Sequence, residues 1–235
     1  MTNFWQPRTM PHSWYDKNSV SSWNGLDNLH NLEGNPEAEK WKNIPIEYRR
    51  NDLGFRTHDL KPLLGESVDV ALGCSFTEGV GLPAELTWPH LIEQRTTRTL
   101  LNLGLGGGST DTVARILTNI CGLYDIKNVF ILWPELARFE LYFADHARSP
   151  ILSLVPSQAS VEHTWNMDIR NSTQRFNRNQ YIVNALAEKY GFNIVERNIM
   201  DALTLKPIDF ARDGCHWGIR SNQEMADWCL DKLTQ

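Results

Sequence analysis

VDVALGCSFTEGVG, Val68–Gly81, is the stretch that decides how this chain folds. Its first six residues are a short apolar run ending in glycine, the pattern of a strand buried on both faces of a parallel sheet. After Gly73 the run breaks into polar and glycine residues, and a helix is predicted from Thr87, with Thr87 as N-cap, Pro89 in the first turn and Leu91 and Ile92 pointing inward. A second strand is expected over Thr99–Gly104 (TLLNLG), running into Gly106-Gly107-Gly108. Ser109 can then cap a helix whose Val113, Ile116, Leu117, Ile120 and Cys121 recur at i, i+3, i+4, i+7 and i+8, a single buried stripe.

The alternation continues downstream. NVFILW (Asn128–Trp133) reads as the third strand and NIVERN (Asn193–Asn198) as the fourth. Between them a helix is expected over Asn171–Tyr190, with Phe176, Val183, Leu186, Ala187 and Tyr190 on one face and Gly191 as the left-handed residue beyond its end. The last helix is expected to open with Ser221 and Glu224 in capping-box spacing and to bury Met225, Trp228, Cys229 and Leu233. Strands alternating with amphipathic helices predict an α/β fold, a doubly wound parallel sheet between helical layers, with ligands at the carboxyl ends of the strands. Glu135–Thr164 holds short apolar pieces compatible with helix, strand or loop.

Residues 1–62 have a different character. Trp5, Trp14, Trp23 and Trp41 sit among Asn, Ser, Pro and Gly without helical or strand periodicity, which predicts an irregular N-terminal extension packed on a core domain of residues 63–235. Asn51–Gly54 reads as a turn leading to Phe55 and Arg56. The nine tryptophans are expected mainly in the core, with sugar-stacking platforms as the other reading. A chain of 235 residues that is 41% hydrophobic can bury a core without staples. Twenty-three basic against 28 acidic residues leave a net charge of −5, which excludes nucleic-acid binding through bulk electrostatics. No run approaches the ~20 apolar residues that span a bilayer. Met1–Met10 lacks the basic start and apolar run of a signal peptide, so no membrane association and a cytoplasmic location are expected. Cys74, Cys121, Cys215 and Cys229 include no CxxC pair, so neither a zinc site nor a disulfide framework is expected.

Three loops carry the candidate chemistry. Ser75, just past the first strand, is placed where a helix N-terminus favours a developing anion; a plain cap or turn serine is the alternative. The run Asn102–Ser109 can bring backbone N–H groups close to a ligand, as oxyanion donors or as a tight packing point. It fails as a dinucleotide fingerprint, since the third glycine position is Ser109 and Asp125 precedes the third strand where the ribose acid should end it. In Ala211–Gly218, Asp213 and His216 stand three apart, a spacing that lets a carboxylate fix the imidazole tautomer. A metal site would need a second His/Asp/Glu pair at ligand spacing, and His12, His30, His58, His90, His146 and His163 are scattered.

In that order the three blocks resemble the SGNH/GDSL hydrolase family. GCSFT is similar to its first block in the variant met in phage and environmental proteins, Asn102–Gly107 to its second, and Asp213-Gly214-Cys215-His216 to its last; NDLGFR (Asn51–Arg56) is similar to the lead-in. The resemblance spans about Asn51–Leu233. It implies a flavodoxin-like three-layer α/β/α fold and a Ser75–His216–Asp213 triad, with the N–H groups of Ser75 and Gly107 as oxyanion donors and neither cofactor nor metal. The chain departs from the family at Cys74, where an aspartate is usual, and at Trp133–Glu140 (WPELARFE), which lacks the third-block asparagine. Loss of one oxyanion donor costs about 3–4 kcal/mol of transition-state stabilisation. Arg138 is the candidate substitute, against a plain pairing with Glu135 or Glu140. The expected partner is a small-molecule or carbohydrate ester, cleaved by an esterase or acetylesterase-like activity. The alternatives are acyl transfer through the same triad and a non-catalytic glycan-binding module on the same fold.

Overall fold

A computed structural model describes residues 13–24, 27, 40–142, 151–154, 169–204 and 208–235. In chain order the elements are β1 (Val20–Ser21), β2 (Tyr48–Arg49), β3 (Ser67–Leu72), α1 (Ser75–Glu78), α2 (Trp88–Thr96), β4 (Leu100–Asn102), α3 (Thr110–Ile120), β5 (Asp125–Trp133), β6 (Phe139–Tyr142), β7 (Ile151–Leu154), α4 (Ile169–Tyr190), β8 (Asn193–Asn198), α5 (Ile199–Thr204) and α6 (Ile219–Leu233).

Successive side chains of a strand point to opposite faces, so a strand that is apolar throughout must be covered twice. Val68, Val70 and Leu72 of β3 and Val129, Ile131 and Trp133 of β5 enter one apolar cluster, while Ala71, Phe130 and Leu132 enter another. α3 and α4 cover the first face through Val113, Ile116, Leu117, Ile120 and Val183. α2 and α6 cover the second through Trp88, Ile92, Met225, Ala226 and Cys229. The result is a three-layer α/β/α fold around a parallel sheet of order β4-β3-β5-β8, the strand order of a flavodoxin-like sheet. Each large apolar side chain buried this way stabilises the fold by roughly 1.5–3 kcal/mol. The chain runs from β3 out to β4 and then back across to β5, so the carboxyl ends of β3 and β5 flank the switch point where ligands bind.

The boundaries depart from the periodicity in instructive ways. The second strand is only Leu100–Asn102, because the chain beyond Asn102 is drawn under α1, and the third begins earlier, at Asp125. Ser109 caps α3 as expected, in a reciprocal box with Thr112. Thr87 precedes α2, but its hydroxyl turns back to the Ala84 carbonyl; the open N–H of Trp88 is taken by Asn222 Oδ1 from α6 at 2.9 Å. Ser221 does not cap α6, which starts at Ile219 after Gly218. Asp209 supplies the cap from outside, its carboxylate accepting the N–H groups of Arg220 (3.1 Å) and Ser221 (3.0 Å).

Of the ambiguous stretch Glu135–Thr164, the described part contains β6 paired antiparallel with β7; residues 143–150 and 155–164 lie outside the described residues. So does Trp5. Trp41, Trp88, Trp133 and Trp217 are buried, and Trp14, Trp23 and Trp228 half-buried. Near the N-terminus β1 pairs antiparallel with β2. Asn51 closes the expected turn, its Oδ1 accepting from Leu53 (3.0 Å) and Phe55 (2.9 Å). Trp41, Ile46 and Tyr48 pack with Leu82 and Ala211, so this early segment is buried against the loops that follow α1 and precede α6.

Candidate active site

β3 ends at Leu72, and the chain turns through Gly73 and Cys74 into α1, whose first residue is Ser75. Two glycines permit that turn. A Cβ on Gly73 would lie 2.2 Å from Thr77 Oγ1 and 2.7 Å from the Leu132 carbonyl oxygen, and one on Gly104 would lie 2.6 Å from the Glu78 nitrogen. Lacking side chains there, the loop after β4 and the end of β5 close directly on α1. Asn102 fastens the packing, with Nδ2 donating to the Thr77 carbonyl (2.9 Å) and Oδ1 accepting from Gly104 N–H (3.1 Å). Cys74 is buried in the second apolar cluster.

The loop before α6 is shaped around an imidazole. Asp213 Oδ1 accepts the N–H groups of Cys215 (3.0 Å) and His216 (2.9 Å), a turn the side chain imposes on its own backbone. Gly214, at φ +68°, takes the left-handed position, and Ala211 N–H closes the loop on the His216 carbonyl at 2.9 Å. Asp213 Oδ2 is left to accept from His216 Nδ1. On the other side of the ring, Nε2 lies 2.7 Å from Ser75 Oγ. With Nδ1 donating to the carboxylate, Nε2 is the ring's acceptor and the serine hydroxyl donates to it. Phe76 leans on the imidazole with ring centroids 4.6 Å apart and meets Trp217 edge-on. Burial pushes the Asp213 carboxyl up, but the hydrogen bond and charge of His216 and the two backbone donors outweigh it and hold the group below the usual carboxylate range.

Gly107 lies in the turn Leu105–Gly108, closed by Gly108 N–H on the Leu105 carbonyl at 2.8 Å. Its φ of +76° suits the third position of a type II turn, which glycine adopts without strain. Leu105 N–H donates to the Gly73 carbonyl at 3.1 Å, tying this turn to the strand end that carries Ser75. Arg138 stands beside Glu135. Its Nε lies 3.6 Å from Glu135 Oε2, its N–H bonds the Glu135 carbonyl, and no hydrogen bond or ion pair joins it to Ser75 or His216. Glu140, its other expected partner, pairs with Arg115 at 2.9 Å.

Two buried carboxylates escaped the sequence reading. Glu78 Oε1 accepts from Arg50 Nη2 and Asn24 Nδ2, both at 2.6 Å, and Oε2 from Gly106 N–H (2.6 Å) and the Tyr15 hydroxyl (3.2 Å). Asp27 accepts from Arg212 Nε and Nη2, each at 2.7 Å, immediately before Asp213. An acidic residue three after a strand-end serine is the only local hint of the first. The second joins residues 185 apart and leaves no local trace. Among the described residues no group of three or more His, Cys, Asp or Glu could hold a metal, and no helix is long and apolar enough to cross a membrane.

Solved structures of SGNH/GDSL hydrolases are similar to this chain. TesA aligns with 71% of the chain and 97% of its own length at 14% identity and a TM-score of 0.38. The psychrotrophic esterase EstA from Pseudoalteromonas sp. aligns with 71% of the chain and 96% of its own at 15% identity and a TM-score of 0.37. AlinE4, an SGNH-hydrolase family esterase, aligns with 73% and 97% at 18% identity and a TM-score of 0.32. Likenesses this distant assign neither a residue nor an activity. No protein-family profile and no curated protein sequence matches the chain.

Proposed function

We propose that the protein is a serine-dependent hydrolase of small acyl esters, carbohydrate esters included. The observation that carries this reading is the continuous hydrogen-bonded chain from Ser75 Oγ through His216 to Asp213. In the reaction His216 Nε2 takes the Ser75 proton as Oγ attacks the ester carbonyl. Asp213 keeps Nδ1 protonated and stabilises the imidazolium that forms. The tetrahedral oxyanion is held by the N–H groups of Ser75, at the open first turn of α1, and of Gly107. His216 then gives its proton to the departing alcohol, leaving an acyl-serine. Water attacks that ester with His216 again as base, and the acid leaves as Ser75 recovers its proton.

The oxyanion site of this reading has two backbone donors and no contribution from Arg138. That supports modest turnover relative to enzymes with a third donor, since one donor is worth about 3–4 kcal/mol. A fluorophosphonate probe should label the wild type at Ser75 and leave Ser75→Ala unlabelled, with p-nitrophenyl acetate turnover lost in parallel. A folded wild type that neither labels nor turns over esters of graded acyl length would overturn the proposal.

A further inference from the structure

Resting on the hydrolase reading, we infer that Glu78 is a positioning residue for the oxyanion site, and that through it Tyr15, Asn24 and Arg50 of the N-terminal segment belong to the active site. Glu78 ends α1, one turn after Ser75, and its side chain is fully buried. A carboxylate buried so deeply is costly unless its acceptor sites are used. Here four donors converge on it, and they come from four separate places in the chain: Tyr15, Asn24, Arg50 and the Gly106 backbone. Arg50 is in turn stacked 3.8 Å over the Tyr15 ring, which closes the cluster on itself.

The Gly106 contact gives this cluster a catalytic consequence. Gly106 and Gly107 are the two central residues of the Leu105–Gly108 turn. The Gly107 N–H is on the central peptide of this turn, one residue beyond the Gly106 N–H that Glu78 holds, so where the turn sits decides where that donor sits. The Leu105 N–H bond to Gly73 grips the turn from the segment before Ser75, and the Glu78 bond to Gly106 N–H grips it from the segment after. Tyr15 closes the remaining space, since a Cβ on Gly106 would lie 2.5 Å from its hydroxyl oxygen. The place of this turn, and with it of the Gly107 N–H, is thereby set by the same short helix that carries the nucleophile.

Glu78→Gln tests this. Arg50 and Asn24 both present donors to Oε1, so the amide oxygen stays with them and the amide NH2 faces Gly106 N–H. The tyrosine hydroxyl can turn to accept; the Gly106 amide cannot. On p-nitrophenyl acetate, kcat should fall about 100-fold, the scale of a group displaced by an ångström, with KM within about twofold. Phosphonylation of Ser75 by a fluorophosphonate should slow in step with kcat. Should Glu78→Gln fail to fold, the double variant Glu78→Gln/Arg50→Gln removes both buried charges together and should show the same kcat loss. A folded variant with wild-type kcat, or one whose loss lies in KM alone, overturns the role of Glu78 while the hydrolase reading stands. A wild type inert to the probe overturns the hydrolase reading itself.

Discussion

Asp213→Asn isolates the tautomer from the shape of the site. Asp213 Oδ1 faces two backbone donors, Cys215 N–H at 3.0 Å and His216 N–H at 2.9 Å, and Oδ2 faces His216 Nδ1. The asparagine oxygen can serve only one of these positions. Placing the NH2 group against the backbone pair leaves two buried donors without an acceptor, at about 1–3 kcal/mol each, or ~2–6 kcal/mol in sum. The oxygen therefore stays at the backbone and the NH2 turns to Nδ1, which must become an acceptor. The ring proton moves to Nε2, where it points at Ser75 Oγ and can no longer receive the serine proton. The productive arrangement survives only as the disfavoured flip, so kcat should fall by about 10²–10⁴, as 1.36 kcal/mol is tenfold. The assay is steady-state hydrolysis of p-nitrophenyl acetate beside the fluorophosphonate labelling rate, with circular dichroism to show a retained fold. Nitrogen chemical shifts of the imidazole report the tautomer directly. A folded Asp213→Asn variant within about threefold of wild-type kcat would refute the reasoning, because the tautomer would then not depend on the carboxylate.

Gly104→Ala places a Cβ 2.6 Å from the Glu78 nitrogen and 2.7 Å from Thr77 Cβ, so it should destabilise by ~1–3 kcal/mol and lower Tm by several degrees in a thermal melt; a wild-type Tm would contradict the close packing. Asp27→Ala leaves the Arg212 guanidinium buried without its counter-charge, and a loss of about 3–5 kcal/mol in urea unfolding is expected. His58 and Glu93 bond at 2.7 Å; the hydrogen bond to Glu93 raises the imidazole, and Glu93, though burial pushes it up, is drawn down by His58 and by the Leu100 N–H. The His58 contribution is complete below the free imidazole value and fades as pH rises through the raised one; the Glu93 contribution is complete above the free carboxylate value and fades as pH falls through the lowered one. The pair thus stabilises most between about pH 4.5 and 6.5. His58→Gln should lose most stability there, by under ~1 kcal/mol because His58 is half-exposed, and a deficit in thermal melts that grows above pH 8 would contradict this assignment.

The Asp27–Arg212 and Glu78 clusters tie the N-terminal segment to the proposed site, which its composition did not announce. Both carboxylates reach residues next to a member of the proposed site: Arg212 precedes Asp213, and Gly106 precedes Gly107. On the proposed reading, Tyr15, Asn24 and Asp27 act on the site through two separate contacts.

What the amino-acid order determined by itself is everything that repeats within a few residues: the apolar runs of β3 and β5, the stripe of α3, the cap at Ser109, and the Asp213–His216 spacing, where a side chain bonds its own backbone three residues on. Side-chain periodicity and short-range capping are local properties of the chain, so they are legible without coordinates. The pairing of Ser75 with His216 across 141 residues was reached only through the order of blocks along a known fold. Tertiary structure alone decided that Asp209 rather than Ser221 caps α6, that Asn222 takes the Trp88 N–H, and that Glu78 grips the glycine turn. Each of these is a competition among several chemically suitable partners. The winner is whichever donor or acceptor the close approach of loops places within hydrogen-bond distance; the buried Trp88 N–H and Glu78 carboxylate must take that partner because no water is there to replace it.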